Sequence, residues 1–345
     1  MQGGSRLKII LRIAAGLLIA IPATAGSAKI ITFDPPGGTE TQPAATNSSG
    51  TVVGRYQDNN GDGIQPGFIR DANGNFTALY GPVTGTTQTV PVSVNDAGQI
   101  TGWYSDGKTV HGFLRDTGGS YTTFDPPGSV STTPDSINSA GQISGVYNTS
   151  GASTNVAFLR DSTGNFVTFG GPGSCGDAVV NAVLSASGEV AGTCSYHGGR
   201  RYTFFIRTAS GILTEYGNVF GGTVIFVQAI NDHNILAGYY TDAAGLAHGF
   251  WGDSSGLHSF DYPGALSTGA TGINLGGTIT GFYFGADSVH HGFVRDQLGN
   301  FTSFDAPNGG TKVGQGTTPT AINLSGQITG QVVGLQRVAH GFLRR

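Results

Sequence analysis

A six-residue stretch, His-Gly-Phe-Leu-Arg-Asp, recurs in variant forms along nearly the whole chain and constrains the fold more than any other feature. It stands in full at His111–Asp116. A fixed period in the range of 20 to 50 residues is typical of proteins built from stacked structural units. The Phe of each copy lies 43 to 49 residues from the next, at Phe68, Phe113, Phe158, Phe205, Phe250, Phe293 and Phe342.

Two further markers recur with the same period. A turn with the pattern Ile-Asn-x-x-Gly, or a variant of it, precedes each copy, as at Asn138–Gly141. In one turn Asn234 replaces the Gly, which indicates a left-handed backbone there, because Gly and Asn tolerate positive φ best. An aromatic residue follows about ten positions after each of the first six Phe residues, and a seventh stands near the start of the chain: Phe33, Tyr80, Phe124, Phe169, Tyr216, Phe260 and Phe304.

Short apolar runs separated by turn residues predict an all-β fold. Of the 345 residues 59 are Gly, and only 11% are charged. In the second repeat we predict strand A at Thr89–Asn95, strand B at Gln99–Tyr104, strand C at His111–Arg115 and strand D at Tyr121–Phe124. Four antiparallel strands in a repeat of this length are typical of one blade of a β-propeller.

The two ends of the chain predict how the propeller closes. The last repeat stops at Ala339–Arg344, which is a strand C with no strand D after it. Lys29–Phe33 has the pattern of a strand D with no strand before it. Pairing these ends would complete a seven-bladed propeller over residues 26–345 and remove the open sheet edges.

The first 25 residues have the pattern of a secretory signal peptide. Three cations precede the apolar run Ile13–Ile21, and a small-x-small cleavage site follows at Ala23–Ala25. A retained membrane anchor is the alternative, but the run is short for a membrane span. We therefore expect a secreted protein, either extracellular or periplasmic. Removing Arg6, Lys8 and Arg12 changes the formal net charge from −4 to −7, which disfavours nucleic acid and anionic membranes as partners.

The repeats resemble a known family. Copies such as His340–Arg344, alternating with turns and strands such as Ile322–Gly330, resemble the bacterial extracellular repeats of the HAF family, named for a His-Ala-Phe tripeptide. The resemblance covers nearly all of residues 30–345 and implies secretion and a propeller-like β fold, but no particular activity. Trp251 is the one copy of the aromatic that often follows the tripeptide in the family. Gly replaces the family Ala in most copies, as at Gly112, Gly249, Gly292 and Gly341.

Two cysteines, Cys175 and Cys194, both lie in the fourth repeat. An even number in an exported protein predicts a disulfide. If Ser185–Gly188 is a hairpin turn, Cys194 lies opposite position 179, a few residues from Cys175. A bridge closing a loop of this size would contribute about 3 kcal/mol.

Residues that recur in every repeat serve the fold, so function is expected where the repeats differ. We expect the recurring Phe residues to pack between blades, and the recurring Arg residues, such as Arg70 and Arg160, to pair with nearby Asp. The recurring His residues are expected to be hydrogen bonded within the structure. These residues are His111, His248, His291 and His340. They are too far apart to share a metal ion.

Loop lengths predict where a ligand binds. The A–B and C–D turns are short and lie together on one face, which we call the turn face. The B–C and D–A connections, longer and variable, lie on the opposite face, which we call the loop face. Aromatic residues at strand ends there suit sugars or protein partners, and a polar cluster in the fourth B–C connection could recognise an anion. The candidate binding residues are Trp103, Tyr104, Tyr239, His197, Arg200, Arg201 and Tyr202.

One loop resembles half of a calcium site. Asp58, Asn60 and Asp62 place side-chain oxygens at positions 1, 3 and 5, and Gly63 follows at position 6. Position 12 is Ile69, so the bidentate acid is missing. We predict at most weak calcium binding and no other cofactor; a loop without metal is the alternative.

Two functions remain open at this point. The first is a secreted, monomeric, non-enzymatic module that holds a glycan or an extracellular protein on the loop face. The second is a propeller hydrolase or lyase acting on polysaccharide, which would need two or more acids, or His with acids, at the channel mouth. The scarcity of acids, 21 Asp and Glu in all, favours the first.

Overall fold

The computed structural model describes residues 28–151, 154–170, 178–196, 198–199, 201–217, 220–222, 224–253 and 255–345. Within these ranges the chain is all β, and none of them contains a helix that could cross a membrane. The strands are β1 (Ile30–Phe33), β2 (Gly38–Thr46), β3 (Val52–Asp58), β4 (Gly67–Arg70), β5 (Phe76–Leu79), β6 (Gln88–Val94), β7 (Ile100–Ser105), β8 (Val110–Arg115), β9 (Tyr121–Phe124), β10 (Ser129–Ile137), β11 (Ile143–Thr149), β12 (Val156–Arg160), β13 (Phe166–Phe169), β14 (Ala178–Leu184), β15 (Val190–Tyr196), β16 (Arg201–Arg207), β17 (Leu213–Tyr216), β18 (Val224–Ile230), β19 (Leu236–Thr241), β20 (Ala247–Asp253), β21 (Gly256–Phe260), β22 (Ser267–Ile273), β23 (Ile279–Phe284), β24 (His291–Arg295), β25 (Phe301–Phe304), β26 (Gly316–Ile322), β27 (Ile328–Val333) and β28 (Ala339–Arg344).

These strands form four-stranded antiparallel sheets in the predicted A-B-C-D order. We number the units by chain order, so that unit 1 is β2–β5 and unit 6 is β22–β25. One parallel bridge, between Ser131 and Val110, joins units 2 and 3 into an eight-stranded sheet. In unit 7 the order is β26-β27-β28-β1, because β1 pairs antiparallel with β28 from Ile30 opposite Arg344 to Phe33 opposite Gly341. The strands predicted for unit 2 agree with β6–β9 to within about one residue at each end.

The recurring Phe residues of the C strands form the core between units, as predicted. All seven are fully buried. Each of five contacts the D-strand Phe of the preceding unit edge to face, as Phe158 does with Phe124 at 6.2 Å between ring centroids and 70° between planes. Edge-to-face packing of this kind adds about 0.5–1.5 kcal/mol beyond the burial of area.

The aromatic marker predicted at Tyr80 is wrong by one residue. Leu79 pairs with Gly67, as Phe124 pairs with Gly112, so Leu79 occupies the D-strand position. Leu79 is 2% exposed, whereas Tyr80 is 47% exposed. In this unit the core position is aliphatic, and the aromatic residue lies one position later.

The Gly of the His-Gly-Phe stretch makes room for the D-strand ring. A Cβ atom placed on Gly112 would lie 2.4 Å from Cε2 of Phe124, and one on Gly341 would lie 2.4 Å from Cε2 of Phe33. Real Cβ atoms do not approach so closely. This contact explains why Gly stands at this position in most copies.

The recurring Arg residues do not pair with Asp, so that expectation is wrong. Among the described residues, the ion pairs within 4.0 Å all join His to Asp. The guanidinium of Arg160 instead lies over the Phe124 ring of the preceding unit, 5.1 Å from its centroid. A cation over an aromatic face contributes about 0.5–2 kcal/mol. Asp161 accepts hydrogen bonds from Thr163 and Asn165 and so shapes the C–D turn.

The Asn residues of the A–B turns link neighbouring units. The Nδ2 atom of Asn95 donates to the carbonyl oxygen of Asn138 at 3.0 Å, and Asn138 donates to Ser185 at 3.1 Å. Asn323 of unit 7 donates in the same way to Asn47 of unit 1 at 2.6 Å. Unit 4 carries Ser185 at this position, and there Ala186 N–H donates to Asp232 Oδ1 at 2.8 Å. Asn234 has a φ of 60°, as its place in the turn predicted.

Candidate binding sites

The loop face carries a continuous aromatic surface across units 4 and 5. Tyr202 near the start of β16 lies 5.5 Å from Phe226 near the start of β18, and Phe226 lies 5.4 Å from Tyr239 of β19. We call these three residues the aromatic stripe. All three are half-buried, and burial raises the pKa of the Tyr239 hydroxyl. The structure therefore joins two of the predicted binding residues, Tyr202 and Tyr239, through Phe226, which was not among the predicted residues.

Polar groups lie on the side of the unit 4 sheet opposite Tyr202, because Arg201 and Thr203 alternate with Tyr202 along β16. Arg201 is exposed, and its guanidinium is 5.9 Å from the centroid of the Tyr196 ring. Glu215 accepts hydrogen bonds from the Tyr196 hydroxyl and, at 2.7 Å, from Thr203 Oγ1. The pKa of Tyr196 is raised by burial first and by Glu215 second. Arg201 and Tyr202 lie in β16 rather than in a B–C loop as predicted, because β15 extends to Tyr196, which pairs with Arg201.

Trp103 and Tyr104 do not join this surface. Tyr104 is 5% exposed, and its ring stacks on His111 at 5.2 Å, so it belongs to the packing of unit 2. Trp103, beside it on β7, is half-buried and pairs with Val90 of β6. His197 and Arg200 lie outside the described residues.

The recurring His residues are hydrogen bonded, as expected. His111 Nδ1 is 2.6 Å from Asp125 Oδ2, and His340 Nδ1 is 2.6 Å from Asp34 Oδ2. His248 and His291 make the same contact with the Asp that follows strand D. In the part of the chain that is described, His, Cys, Asp and Glu form no group of three that could hold a metal ion.

The calcium-like loop is exposed and internally hydrogen bonded. The Nδ2 atom of Asn60 donates to Asp58 at 3.1 Å and to Asp62 at 2.9 Å. The Oδ1 atom of Asn60 accepts from the N–H of Asp62 at 3.0 Å. As the amide is oriented, its NH₂ group bridges the two carboxylates, where a cation would stand. Calcium binding here stays a prediction.

The structure describes only one of the two cysteines of the predicted disulfide. Cys194 is fully buried in β15 and pairs with Val179, the position predicted to face it. Cys175 lies outside the described residues, so the bridge itself stays a prediction. The signal peptide at residues 1–25 also lies outside them.

The A strands line a central channel that opens on the turn face. Its mouth, a cavity of about 220 Å³, is bordered by the Asn turns and by Asp96 and Asp232. Both carboxylates accept backbone N–H groups of a neighbouring unit, from Ser48 and Ala186, at 2.8 Å. Below the mouth lies a collar of apolar side chains: Val94, Ile137, Leu184, Ile230, Ile273 and Ile322.

A second chamber of about 250 Å³ lies below this collar and contains one carboxyl group, that of Asp135. Every other residue lining the chamber is uncharged. Asp135 Oδ2 accepts a hydrogen bond from Ala182 N–H at 2.9 Å. Burial raises the pKa of Asp135 to about 7, against the lowering by that hydrogen bond. The corresponding residues are uncharged in the other units: Ala44, Val92, Ala182, Gln228, Thr271 and Thr320.

Solved structures show what this fold is. No protein-family model and no curated protein matches the chain. A streptogramin B lyase structure superposes with a TM-score of 0.56 at 13% identity, covering 92% of this chain and 98% of that one. Virginiamycin B lyase from Staphylococcus aureus superposes with a TM-score of 0.55 at 12% identity, covering 92% of this chain and 99% of that one.

A third structure is the β-propeller domain of the Trilobed protease from Pyrococcus furiosus. It gives a TM-score of 0.64 at 10% identity, covering 89% of this chain and 93% of that chain. At identities this low the likeness shows the fold alone. Together with the four-stranded antiparallel units, it identifies this chain as a β-propeller.

Proposed function

We propose that this protein is a secreted, monomeric β-propeller of seven blades, closed by its N-terminal strand, that works as a non-enzymatic binding module. Two contacts support the closure: β1 pairs with β28 in unit 7, and Asn323 of unit 7 donates to Asn47 of unit 1. The resemblance to HAF-family repeat proteins and the pattern of residues 1–25 support export. The acidic net charge supports a partner other than nucleic acid or an anionic membrane.

The ligand in this proposal is a glycan bound on the loop face at the aromatic stripe. The observation that carries it is the contact of three half-buried rings, Tyr202, Phe226 and Tyr239, across two units. Rings in this arrangement offer apolar faces to the C–H groups of sugars, while the hydroxyls of Tyr202 and Tyr239 offer hydrogen bonds. An extracellular protein is the other class of partner that such a surface fits.

A glycan array tests the proposal, with one variant and one control. The variant replaces Tyr202 and Tyr239 by Ala, and the control replaces Tyr80, which is 47% exposed and lies in unit 1. We expect wild type and control to bind a common set of glycans, and the variant to lose them. Binding that survives in the variant would contradict the site, and a failure of all three proteins to bind any glycan would leave a protein ligand as the remaining class.

Asp135 favours one alternative function, a hydrolase or lyase with its chemistry in the channel. A carboxyl group whose pKa lies near 7 can donate or accept a proton at neutral pH. A second acid or a His is absent from the residues lining its chamber, which disfavours a two-carboxylate mechanism. Release of reducing ends from polysaccharide by wild type, lost in Asp135→Asn, would establish this alternative.

A further inference from the structure

Unit 5 differs from the other units at three positions, two beside its A–B turn and one on β20. Trp251 of β20 stands where the others have an aliphatic residue, as at Leu114. His233 in the A–B turn stands where they have Ser, Ala or Gly. Ile235, two residues later, stands where they have a polar residue: Thr51, Gln99, Gln142, Glu189, Thr278 and Gln327.

All three residues line one cavity at the boundary between units 5 and 6. It measures about 370 Å³, and Ile273, Ile279 and Leu275 complete its apolar wall. Ile273 and Ile279 are 8% and 1% exposed, so this wall is part of the core. The indole of Trp251 stacks on His258 at 4.2 Å and 23°, which holds it in place.

At three other boundaries a glutamine, Gln99, Gln142 or Gln327, occupies this space. Gln142 of unit 3 reaches the turn of unit 4, where its Oε1 lies 3.2 Å from the site of a Cβ on Gly188. Gln99 of unit 2 approaches the turn Gly of unit 3 in the same way. Ile235 is shorter and carries no amide. The boundary of unit 5 is therefore left open and apolar, with the large Trp251 ring beside it.

The rim of the cavity is polar and includes one cation, Arg295. Arg295, His233 and Gln297 border it. Within the described ranges Arg295 has no carboxylate within 4.0 Å; it lies over the Phe260 ring at 5.1 Å and donates to the Asp296 carbonyl oxygen at 3.4 Å. Its charge is therefore available to an anion at the mouth.

We propose that this cavity binds a small aromatic carboxylate, with its ring against Trp251 and its carboxylate at Arg295 and His233. The volume lies at the lower end of the range for ligand pockets, about 300–1,000 Å³, which suits one or two rings. The aliphatic walls disfavour a sugar, because its hydroxyl groups would lose their hydrogen bonds to water. The site is separate from the aromatic stripe and does not depend on glycan binding.

Cinnamate is a suitable probe, with its neutral amide, cinnamamide, for comparison. The sequence contains only two tryptophans, Trp103 and Trp251. In a Trp103→Phe variant the fluorescence of Trp251 reports on the cavity alone, and titration calorimetry on wild type gives the affinity. We expect saturable binding of cinnamate with a change in Trp251 fluorescence, and binding of the amide about tenfold weaker, which corresponds to about 1.4 kcal/mol.

A symmetry-restoring variant, Ile235→Gln with Trp251→Leu, places in unit 5 the residues that unit 2 already carries. It should fold, and its affinity for cinnamate should fall at least about tenfold, while Trp103→Phe keeps wild-type affinity. If this double variant does not fold, His233→Ala provides the test, because it restores the Ala of units 2 and 3. In His233→Ala the ratio of the affinity for cinnamate to the affinity for cinnamamide should be smaller than in wild type. Equal affinity in wild type and the restored variant, or no binding of cinnamate at millimolar concentration, would overturn the proposal.

Discussion

Asp135 should make the protein less stable as the pH rises towards neutrality. Its folded-state pKa of about 7 lies well above the 3.8 of an unperturbed Asp. Between these two values the folded protein keeps a proton that the unfolded chain has released, so the free energy of unfolding falls as pH rises from about 4 to about 7. Above pH 7 both states are ionised and the loss is complete.

The Asp135→Asn variant removes this pH-dependent loss of stability and keeps the hydrogen bond with the backbone. An Asn side-chain oxygen can still accept the hydrogen bond from Ala182 N–H. A pKa difference of about three corresponds to about 4 kcal/mol at pH 8. Water entering the channel lowers this free energy. We therefore expect the variant to be more stable than wild type by about 2–4 kcal/mol at pH 8, and equally stable below pH 4.

Urea unfolding at pH 4, 5.5, 7 and 8.5 measures this difference. Thr320→Val is a matched control, since it changes an uncharged residue of the same chamber, whose Oγ1 donates to the Pro43 carbonyl oxygen at 3.1 Å. Its effect on the free energy of unfolding should not vary with pH. A constant gap between Asp135→Asn and wild type from pH 4 to pH 8.5, or a less stable variant at pH 8.5, would refute the reasoning.

Three further predictions concern the fold and the calcium-like loop. Deleting Ile30–Phe33 removes the strand that pairs with β28, and should lower the melting temperature of the mature chain strongly; an unchanged midpoint would contradict closure by this strand. Asn138→Ala removes an inter-unit hydrogen bond to a buried carbonyl and should cost about 2–4 kcal/mol in urea unfolding, since it leaves buried groups unpaired; a cost below about 0.5 kcal/mol would show that the link is dispensable. Calcium titrated calorimetrically into the mature protein should give weak heat that Asp58→Asn abolishes, and no heat at millimolar calcium would end that idea.

The repeat made much of the fold predictable, because each marker serves a local need. The turn pattern fixed the hairpins, and their register followed, so that Cys194 was correctly placed opposite Val179. The recurring Phe residues were correctly assigned to the core. Tyr80 was misplaced because residue type alone does not reveal which of two adjacent side chains faces inward, and Leu79 took that position.

Contacts between units were much harder to predict than contacts within them. Asn138 and Ser185 are 47 residues apart, and no local pattern shows that the side chain of one reaches the backbone of the other. Arg160 was expected to pair with Asp, but the nearest aromatic face belongs to the preceding unit. In the candidate binding surface, Tyr202 and Tyr239 were predicted, and Phe226 between them was missed. Comparing the units would have found Phe226, because the corresponding positions hold Gln42, Val90, Thr133, Val180, Gly269 and Thr318.

The central claim is that the ligand binds on the loop face and not in the channel. The most direct test compares one glycan, chosen from the array, in calorimetric titrations of wild type, Asp135→Asn and the variant lacking Tyr202 and Tyr239. We predict that Asp135→Asn keeps the affinity of wild type, that the tyrosine variant loses at least about tenfold, and that the glycan is recovered uncleaved. Loss of binding in Asp135→Asn with the tyrosine variant unaffected would contradict the account and place the ligand in the channel.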